Sequence, residues 1–178
     1  YNKRVKEDAT IAPASGYAMA KRACEIYLQN FQNETQISCA SLRLFNVYGP
    51  RQDRRMVIPR FVSQAKKNNN IKIYGNGNQT RDFTYIEDCI KTFLLIEKKI
   101  KGYQIFNSSK GQETKIKELA LLIKKLFKSK SKLLFVKVPK NLEEFQVKKR
   151  CGNSTKISNY IKYKPNTNLI TGLKKIYF

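Results

Sequence analysis

Two hydrophobic patterns alternate along the 178 residues, and this alternation limits the folds that the chain can adopt. Apolar residues three and four apart, typical of helices, alternate with short apolar runs that are typical of buried strands. Helices are predicted at 17–31, 57–67, 86–99 and 115–127, with strands at 37–45, 103–107 and 132–139 and two short strands within 71–85. Such alternation predicts the α/β class.

Local signals place the ends of some of these elements. Ser15 is expected to cap the first helix, and Thr114 the helix over 115–127. Residues 46–55 contain a Gly-Pro pair and are predicted to form a polar loop. After Asn141 the chain is polar, and further helices are expected only at 154–161 and 169–177.

The charge balance leaves two interpretations open. Lys and Arg number 36 against 13 Asp and Glu, a net charge of +23. Such a chain can bind nucleic acid, anionic lipid or phosphorylated ligands. The lysines are spread along the chain, without an arginine-rich arm or the interleaved aromatic residues of a strand-binding platform. We therefore favour compositional drift toward lysine and asparagine over a nucleic-acid partner.

Cysteine and hydropathy patterns bear on the setting of the protein. The four cysteines have no CxxC spacing and the chain has no histidine, so no zinc site is expected. Cys24, Cys39 and Cys89 lie in apolar stretches and are predicted to be buried free thiols, which fits a reducing, cytoplasmic setting.

No apolar run approaches the ~18 residues of a membrane span. The polar start resembles no signal peptide.

Glycine placement bears on phosphate binding. The eight glycines are scattered, and no Gly-rich turn follows an early strand. Gly75 and Gly77 are close together, but no predicted helix begins directly behind them. Because a phosphate-binding loop requires a helix N-terminus at that point, we interpret this pair as a turn.

One pair of side chains in the first helix could be catalytic. Tyr17 and Lys21 are four residues apart, so they share a helix face. An ammonium beside a phenol favours the phenolate, which could then accept a proton from a hydroxyl group. On spacing alone, a solvated lysine and a half-buried tyrosine are the simpler interpretation.

Four segments together resemble one family. They are SGYAMAK (15–21), SLRLFNVYGPRQ (41–52), VIPRF (57–61) with IYGNGNQTRDFTYIED (73–88), and NSTKISNYIKYKP (153–165). In this order they resemble the extended short-chain dehydrogenases/reductases, in the nucleotide-sugar epimerase/dehydratase branch, whose tyrosine signature is YxxxK. The first segment is weak evidence alone, whereas RLFNVYGPRQ with QTRDFTYIED is specific.

The resemblance covers nearly the whole chain and implies a fold and a domain division. It implies the C-terminal part of a Rossmann-like parallel sheet plus a smaller α/β substrate-binding domain. Residues 1–50 would form the last Rossmann elements, and 51–178 mainly the substrate-binding region. The family's N-terminal half carries the Gly-rich loop, most of the cofactor contacts and a catalytic Ser or Thr. We therefore expect this chain to be the C-terminal half of such an enzyme.

The resemblance also implies roles for the catalytic and cofactor-binding residues. The cofactor would be NAD, with Tyr17 as the proton acceptor. Lys21 would stabilise the phenolate and hold the cofactor ribose. Phe45 would pack near the nicotinamide; plain core packing is the alternative.

Substrate contacts follow from the same resemblance. Asn46 and Arg81 would contact the diphosphate of a nucleotide-sugar, and an arginine fork suits phosphate oxygens. Alternatively, Asn46 is a turn residue and Arg81 forms a surface ion pair with Asp82. Val57 and Ile58 would line the nucleotide pocket and Tyr74 would lie by the base, although each could equally be core. Arg43, inside an apolar strand, is predicted to be paired and structural.

The chain departs from the family pattern near its C-terminal end. The family carries Arg-x-Gly-Asp-Val before the late helix, where this chain has Glu143, Glu144, Phe145, Gln146 and Val147. A glutamate in place of that arginine would repel phosphate, unless Lys148, Lys149 or Arg150 replaces it. Asn153 stands for the usual aspartate of the late helix, and Lys162 for its usual glycine.

Several functions agree with this pattern. The resemblance favours an NAD-dependent 4-epimerase of a UDP-hexose or UDP-N-acetylhexosamine. A nucleotide-sugar 4,6-dehydratase or decarboxylase of the same family is the alternative. A non-catalytic polyanion-binding module on a relic fold is a hypothesis of another class. The resemblance also implies a homodimer formed through the helix that bears the tyrosine.

Overall fold

The computed structural model describes residues 4–139 and 147–178. In chain order its helices are α1 (Gly16–Thr35), α2 (Val57–Lys66), α3 (Ile86–Glu97), α4 (Ile116–Leu126), α5 (Thr155–Ile161) and α6 (Leu169–Tyr177). Its strands are β1 (Cys39–Leu44), β2 (Asn46–Tyr48), β3 (Ile71–Tyr74), β4 (Thr80–Tyr85), β5 (Tyr103–Ser108), β6 (Glu113–Lys115) and β7 (Leu133–Val136). The predicted α/β class is confirmed.

Parallel pairs dominate the sheets. β1 pairs with β5, β2 with β4, and β3 with β7, all parallel, while β6 joins β4 antiparallel. The register of β2 places Asn46 opposite Phe83, and that of β6 places Thr114 opposite Arg81. The two strands predicted within 71–85 both form, but they belong to different sheets and do not pair with each other.

The two short strands β2 and β6 were not predicted, because neither is long enough to show the alternating hydrophobic pattern of a strand. β2 lies in the segment predicted as a loop and is defined by its pairing with β4. β6 contains Thr114, so the predicted helix cap at Thr114 is wrong. The helix begins at Ile116 instead, where the backbone N–H of Lys115 donates to Glu118 Oε2 at 3.3 Å. Pairing with β4 thus takes precedence over capping by the hydroxyl.

The larger core lies between the helices α2, α4 and α6 and the strands β3 and β4. Its fully buried members include Phe61, Ile71, Leu119 and Leu173. Phe61 and Leu119 come from helices whose apolar residues are three and four apart, so one face of each helix is buried. This core fixes the framework on which β4 presents its polar side chains.

A second, smaller core lies on the β1–β5 sheet. It is built from Ile96, Phe106, Ile157 and Ile161. On α1, by contrast, no residue is buried. Within the described residues β1 pairs with β5 alone, so its other edge is unpaired.

The environment of the cysteines corrects one prediction. All four are free, and Cys89 is buried as expected. Cys24, however, is exposed, and Cys39 is only half-buried. The prediction failed for Cys24 because α1 rests on a sheet of only two strands, and nothing in the described chain covers its outer face.

The predicted cap of the first helix and the two predicted late helices are confirmed. Ser15 caps α1, since its Oγ accepts from the backbone N–H of Ala18 at 3.2 Å. α5 and α6 form at the two positions expected for late helices. Among the described helices, none is long and apolar enough to span a lipid bilayer.

Candidate active site

The predicted dyad lies on the open face of α1. Tyr17 is 75% exposed, and Lys21 is exposed one turn later. The Lys21 ammonium lies 5.6 Å from the centroid of the Tyr17 ring. The two side chains therefore share a face, and both are exposed to solvent. Neither lines the cleft described below.

An ion pair fixes the position of α1 on the sheet. Arg43 of β1 donates from Nε and Nη2 to the two oxygens of Glu25 at 2.7 and 2.8 Å, and from Nη1 to the Glu7 carbonyl at 2.9 Å. The hydrogen bond from Arg43 holds the pKa of Glu25 below its usual value. The prediction that Arg43 is paired is confirmed, and the pair joins the dyad helix to β1.

A cleft of about 360 Å³ opens beyond the carboxyl ends of β1 and β5. Phe45, which directly follows β1, lines it together with Asn107 of β5. The rest of the lining is Val5, Lys6, Ala9, Thr10, Ile11, Arg43, Leu44, Val147, Lys149 and Arg150. This is the edge at which open α/β sheets bind ligands.

Gly152 permits the close packing behind Phe45. A Cβ atom at this glycine would lie 2.5 Å from both Phe45 Cε2 and Ser109 Oγ, a distance that real Cβ atoms do not reach. Phe45 is therefore held between β1 and the segment around Gly152, which fixes its ring in the wall of the cleft.

Asn46 and Arg81 lie close together on the three-stranded sheet. Asn46 is opposite Phe83, two residues along β4 from Arg81, so Asn46 and Arg81 share one face. Asn46 Oδ1 is buried and has no hydrogen-bond partner among the described residues. Such an atom is normally satisfied, which makes Asn46 a candidate ligand contact.

The Arg81 guanidinium is anchored by carbonyl groups. Its Nη1 donates to the carbonyl oxygens of Thr80 at 2.7 Å and Val147 at 2.8 Å. Burial lowers its pKa, and the positive charge of Arg150 lowers it further. Among the described residues Arg81 forms no ion pair with Asp82. The alternative interpretation of Arg81 as the partner of Asp82 in a surface ion pair is therefore not supported.

Asp82 is the principal site residue that the sequence analysis missed. It is 0% exposed, and its Oδ2 accepts from the backbone N–H groups of Gly111 at 3.0 Å and Gly152 at 3.2 Å and from Cys151 Sγ at 3.5 Å. Burial raises the pKa of this carboxyl group. An acidic residue in the middle of a predicted strand was the signal that could have identified it.

These bonds fix the extended segment 147–153 between β4 and the N-terminal segment. The Lys148 carbonyl accepts from Thr80 N–H at 2.9 Å, and the Cys151 carbonyl accepts from Val5 N–H at 2.9 Å. Asn153 donates its N–H to the Val5 carbonyl at 2.8 Å. The segment therefore forms one wall of the cleft. Its predecessors Glu143, Glu144, Phe145 and Gln146 lie outside the described residues.

The two later departures from the family pattern have local roles. The Asn153 side chain accepts from the N–H of Thr155 at 2.9 Å at the start of α5, a contact that an aspartate could also make. Lys162 ends α5 with φ of 55°, in the left-handed region that favours glycine. The lysine adopts the glycine-type conformation, at some cost in stability.

The three residues expected around the nucleotide are spread over two elements. Val57 begins α2 and is half-buried, while Ile58 is 1% exposed within the larger core. Tyr74 ends β3, and the Arg60 guanidinium lies 4.7 Å from the centroid of its ring. Contacts of Val57, Ile58 and Tyr74 with a ligand stay predictions.

Comparison with protein families gives one match over most of the chain. The model described as the NAD dependent epimerase/dehydratase family matches residues 2–108. A putative UDP-glucose 4-epimerase of Methanocaldococcus jannaschii is 32% identical over 97% of this chain and 55% of its own length. The dTDP-D-glucose 4,6-dehydratase of Homo sapiens is 34% identical over 71% of this chain and 36% of its own length.

A solved structure of an epimerase is also similar to this chain. The crystal structure of a UDP-glucose 4-epimerase from Thermotoga maritima with UDP-glucose matches with a TM-score of 0.89 at 28% identity. That match covers 97% of this chain and 55% of the other. The chain thus spans about one third to one half of the length of these relatives.

Proposed function

Because this chain belongs to the NAD dependent epimerase/dehydratase family, we propose that it forms the substrate-binding part of a nucleotide-sugar 4-epimerase. The proposed substrate is a UDP-linked hexose or N-acetylhexosamine. The similarity of the chain to UDP-glucose 4-epimerases over nearly its whole length supports this choice of substrate.

One observation carries the proposal. Pairing of β2 with β4 places Asn46, whose amide oxygen has no partner among the described residues, on the same face as Arg81. The chain neighbour Phe45 and the hydrogen-bond partner Val147 of these two residues line the cleft at the ends of β1 and β5. An arginine and an amide side by side suit the charged and polar oxygens of a diphosphate. Arg81 and Asn46 would therefore bind the diphosphate of the substrate.

The residues present fit one end of the cofactor. Tyr17, Lys21 and Phe45 offer an exposed phenol, an ammonium and an aromatic wall. Gly75 and Gly77 have φ of 68° and 75° but lie in the turn between β3 and β4, with no helix start behind them. We propose that the nicotinamide side is bound here, while the phosphates of NAD depend on residues other than these.

In the proposed mechanism Tyr17 accepts the proton of the 4-hydroxyl group as its phenolate. The Lys21 ammonium, on the same helix face, stabilises that phenolate and binds the cofactor ribose. NAD, when bound beside Tyr17, Lys21 and Phe45, would supply the acceptor for the hydride of carbon 4 and the donor for its return to the opposite face of the sugar. Tyr17 then gives its proton back to the oxygen, which restores the hydroxyl with inverted configuration.

Product analysis of the whole protein tests this function. With UDP-glucose or UDP-N-acetylglucosamine and NAD, the expected product is the 4-epimer, which has unchanged mass. Tyr17→Phe should abolish its formation while leaving UDP-sugar binding nearly unchanged. Similarity to a 4,6-dehydratase favours one rival activity, and a 4-keto-6-deoxy product that has lost water would establish it instead.

The high positive charge favours the polyanion-binding module as a second candidate. Its signature would be binding to a random DNA duplex whose logarithmic affinity falls steeply with the logarithm of salt concentration. UDP-sugar affinity that heparin does not change would count against it.

A homodimer through α1 is also proposed. Met19, Ile26 and Tyr27 of this helix are exposed, and an apolar helix face of this kind can bind a second copy. Sedimentation equilibrium on the whole protein tests it, because a monomer at micromolar concentration would contradict the proposal.

A further inference from the structure

Positive charge is concentrated in one part of the fold. Residues 56–81, which form α2, β3 and the first two residues of β4, contain five Lys or Arg residues and no Asp or Glu. Residues 119–139, which form most of α4 and all of β7, contain six Lys or Arg residues and again no acidic one. The two segments lie side by side, because α2 packs against α4 in the larger core and β3 pairs with β7. The fold therefore joins two segments that carry no negative charge.

Hydrogen bonds join these segments where the exposed lysines lie. Asn68, shortly after α2, accepts through its Oδ1 from the backbone N–H of Lys130 at 2.8 Å and from Ser129 Oγ at 3.1 Å. The Lys132 carbonyl accepts from the backbone N–H of Ile71 at 2.8 Å. We call the surface formed here the lysine surface; it consists of the exposed side chains of Lys66, Lys67, Lys128, Lys130 and Lys132. Among the described residues none of these five lysines takes part in an ion pair, so their charges are available to a ligand.

Aromatic rings adjoin the lysine surface. The Lys66 ammonium lies 5.4 Å from the centroid of the Phe127 ring and 5.6 Å from that of the Tyr177 ring. The ring centroids of Phe127 and Phe178 are 4.9 Å apart, and Phe178 is 74% exposed. Folding thus brings beside the lysines the aromatic residues that are not interleaved with them in the sequence.

A positively charged surface with an exposed ring suits single-stranded nucleic acid. Ammonium groups bind the phosphates, and a ring can stack on an unpaired base. The bases of a duplex are stacked on one another and do not reach such a ring. A lipid surface would require a helix with an available apolar face, whereas α2 and α4 bury their apolar faces in the larger core.

We propose that the lysine surface and Phe178 bind single-stranded nucleic acid, with phosphates at the lysines and a base stacked on the Phe178 ring. Recognition by charge and stacking predicts little dependence on base sequence. None of these residues lines the cleft at the ends of β1 and β5. The inference is therefore independent of the proposed function, and either can fail without the other.

Fluorescence anisotropy of a labelled oligouridine with the whole protein tests the site. Replacing Lys67, Lys130 and Lys132 together by glutamine should weaken binding. It should also lower the slope of log affinity against log salt by about two, since each lost phosphate contact contributes about 0.7. Phe178→Leu removes the ring but no charge, so it should weaken binding about fivefold or more and leave the salt slope unchanged.

The matched control for charge replaces Lys98, Lys99 and Lys101 together by glutamine. These exposed lysines lie between α3 and β5, and the variant has the same net charge as the first one. It should bind like the wild type, as should Phe93→Leu, which removes an exposed ring on α3.

Equal weakening by the two triple variants would overturn the inference, because net charge alone would then govern binding. It would also be overturned by tighter binding to a duplex, by an unchanged affinity of Phe178→Leu, or by no binding of oligouridine at all. Binding to phosphatidylserine vesicles but not to oligouridine would assign the lysine surface to a membrane instead.

Discussion

Replacing Asp82 with alanine should destabilise the fold more than any exposed carboxylate substitution. The side chain is 0% exposed, and it accepts hydrogen bonds from the backbone N–H groups of Gly111 and Gly152. Leaving a buried donor without an acceptor costs about 1–3 kcal/mol. Two such donors give an expected loss of about 2–6 kcal/mol in the free energy of unfolding.

Asp82→Asn removes the negative charge of the side chain but keeps an oxygen that can accept the two hydrogen bonds. Its amide oxygen can still accept from both N–H groups, so the expected loss is only on the order of 1 kcal/mol. Asp53→Ala serves as the exposed control, because Asp53 pairs with Arg55 at the surface and should contribute nothing measurable. Urea unfolding followed by circular dichroism measures all three variants.

Two results would refute this reasoning. Equal losses for Asp82→Ala and Asp82→Asn would show that acceptance of the two backbone hydrogen bonds is not what stabilises the fold here. A change within the error of the Asp53→Ala control would show that Asp82 does not hold the segment 147–153 in place.

The remaining predictions concern the same region. Gly152→Ala should lower the free energy of unfolding by about 1–3 kcal/mol, because its Cβ would overlap Phe45 and Ser109; thermal unfolding with no shift would contradict this. Burial raises the folded-state pKa of Asp82, so its ionisation opposes folding as pH rises above the unfolded value. The stability deficit of Asp82→Asn relative to wild type should therefore shrink as the pH rises above about 4, the usual pKa of an aspartate in an unfolded chain, measured by urea unfolding at each pH; a constant difference would contradict it.

Much of the fold could be predicted because helical and strand periods are local properties of the sequence. α2, α3, α4 and β1 form where their apolar patterns indicated. β2 and β6 were missed because three-residue strands have too few positions to show a period, and they exist only through pairing with β4. The residues of such a short segment do not by themselves indicate which distant strand it will pair with.

The site could be predicted in part. The match of residues 2–108 to the NAD dependent epimerase/dehydratase family confirms the resemblance drawn from four segments. The pairing of Arg43 was predicted and confirmed. The role of Asp82 and the cleft itself were not predicted, because the chain brings residues 5–11 and 147–153 together only in the folded protein. Cys24 is exposed because nothing in the described chain packs on the outer face of α1, and the apolar pattern of the helix does not reveal this.

The affinity of the chain for UDP-glucose, with and without the Arg81 side chain, decides whether Arg81 binds the diphosphate. We expect UDP-glucose to bind and Arg81→Ala to raise its dissociation constant by about tenfold or more, as expected for loss of a charged hydrogen bond of about 1.5–3 kcal/mol. Lys125→Gln is the matched control, because Lys125 is exposed in the last turn of α4 and does not line the cleft, and it should leave the constant unchanged. An Arg81→Ala variant that unfolds like the wild type and binds UDP-glucose equally well would contradict the claim that this chain binds the diphosphate of a nucleotide-sugar through Arg81.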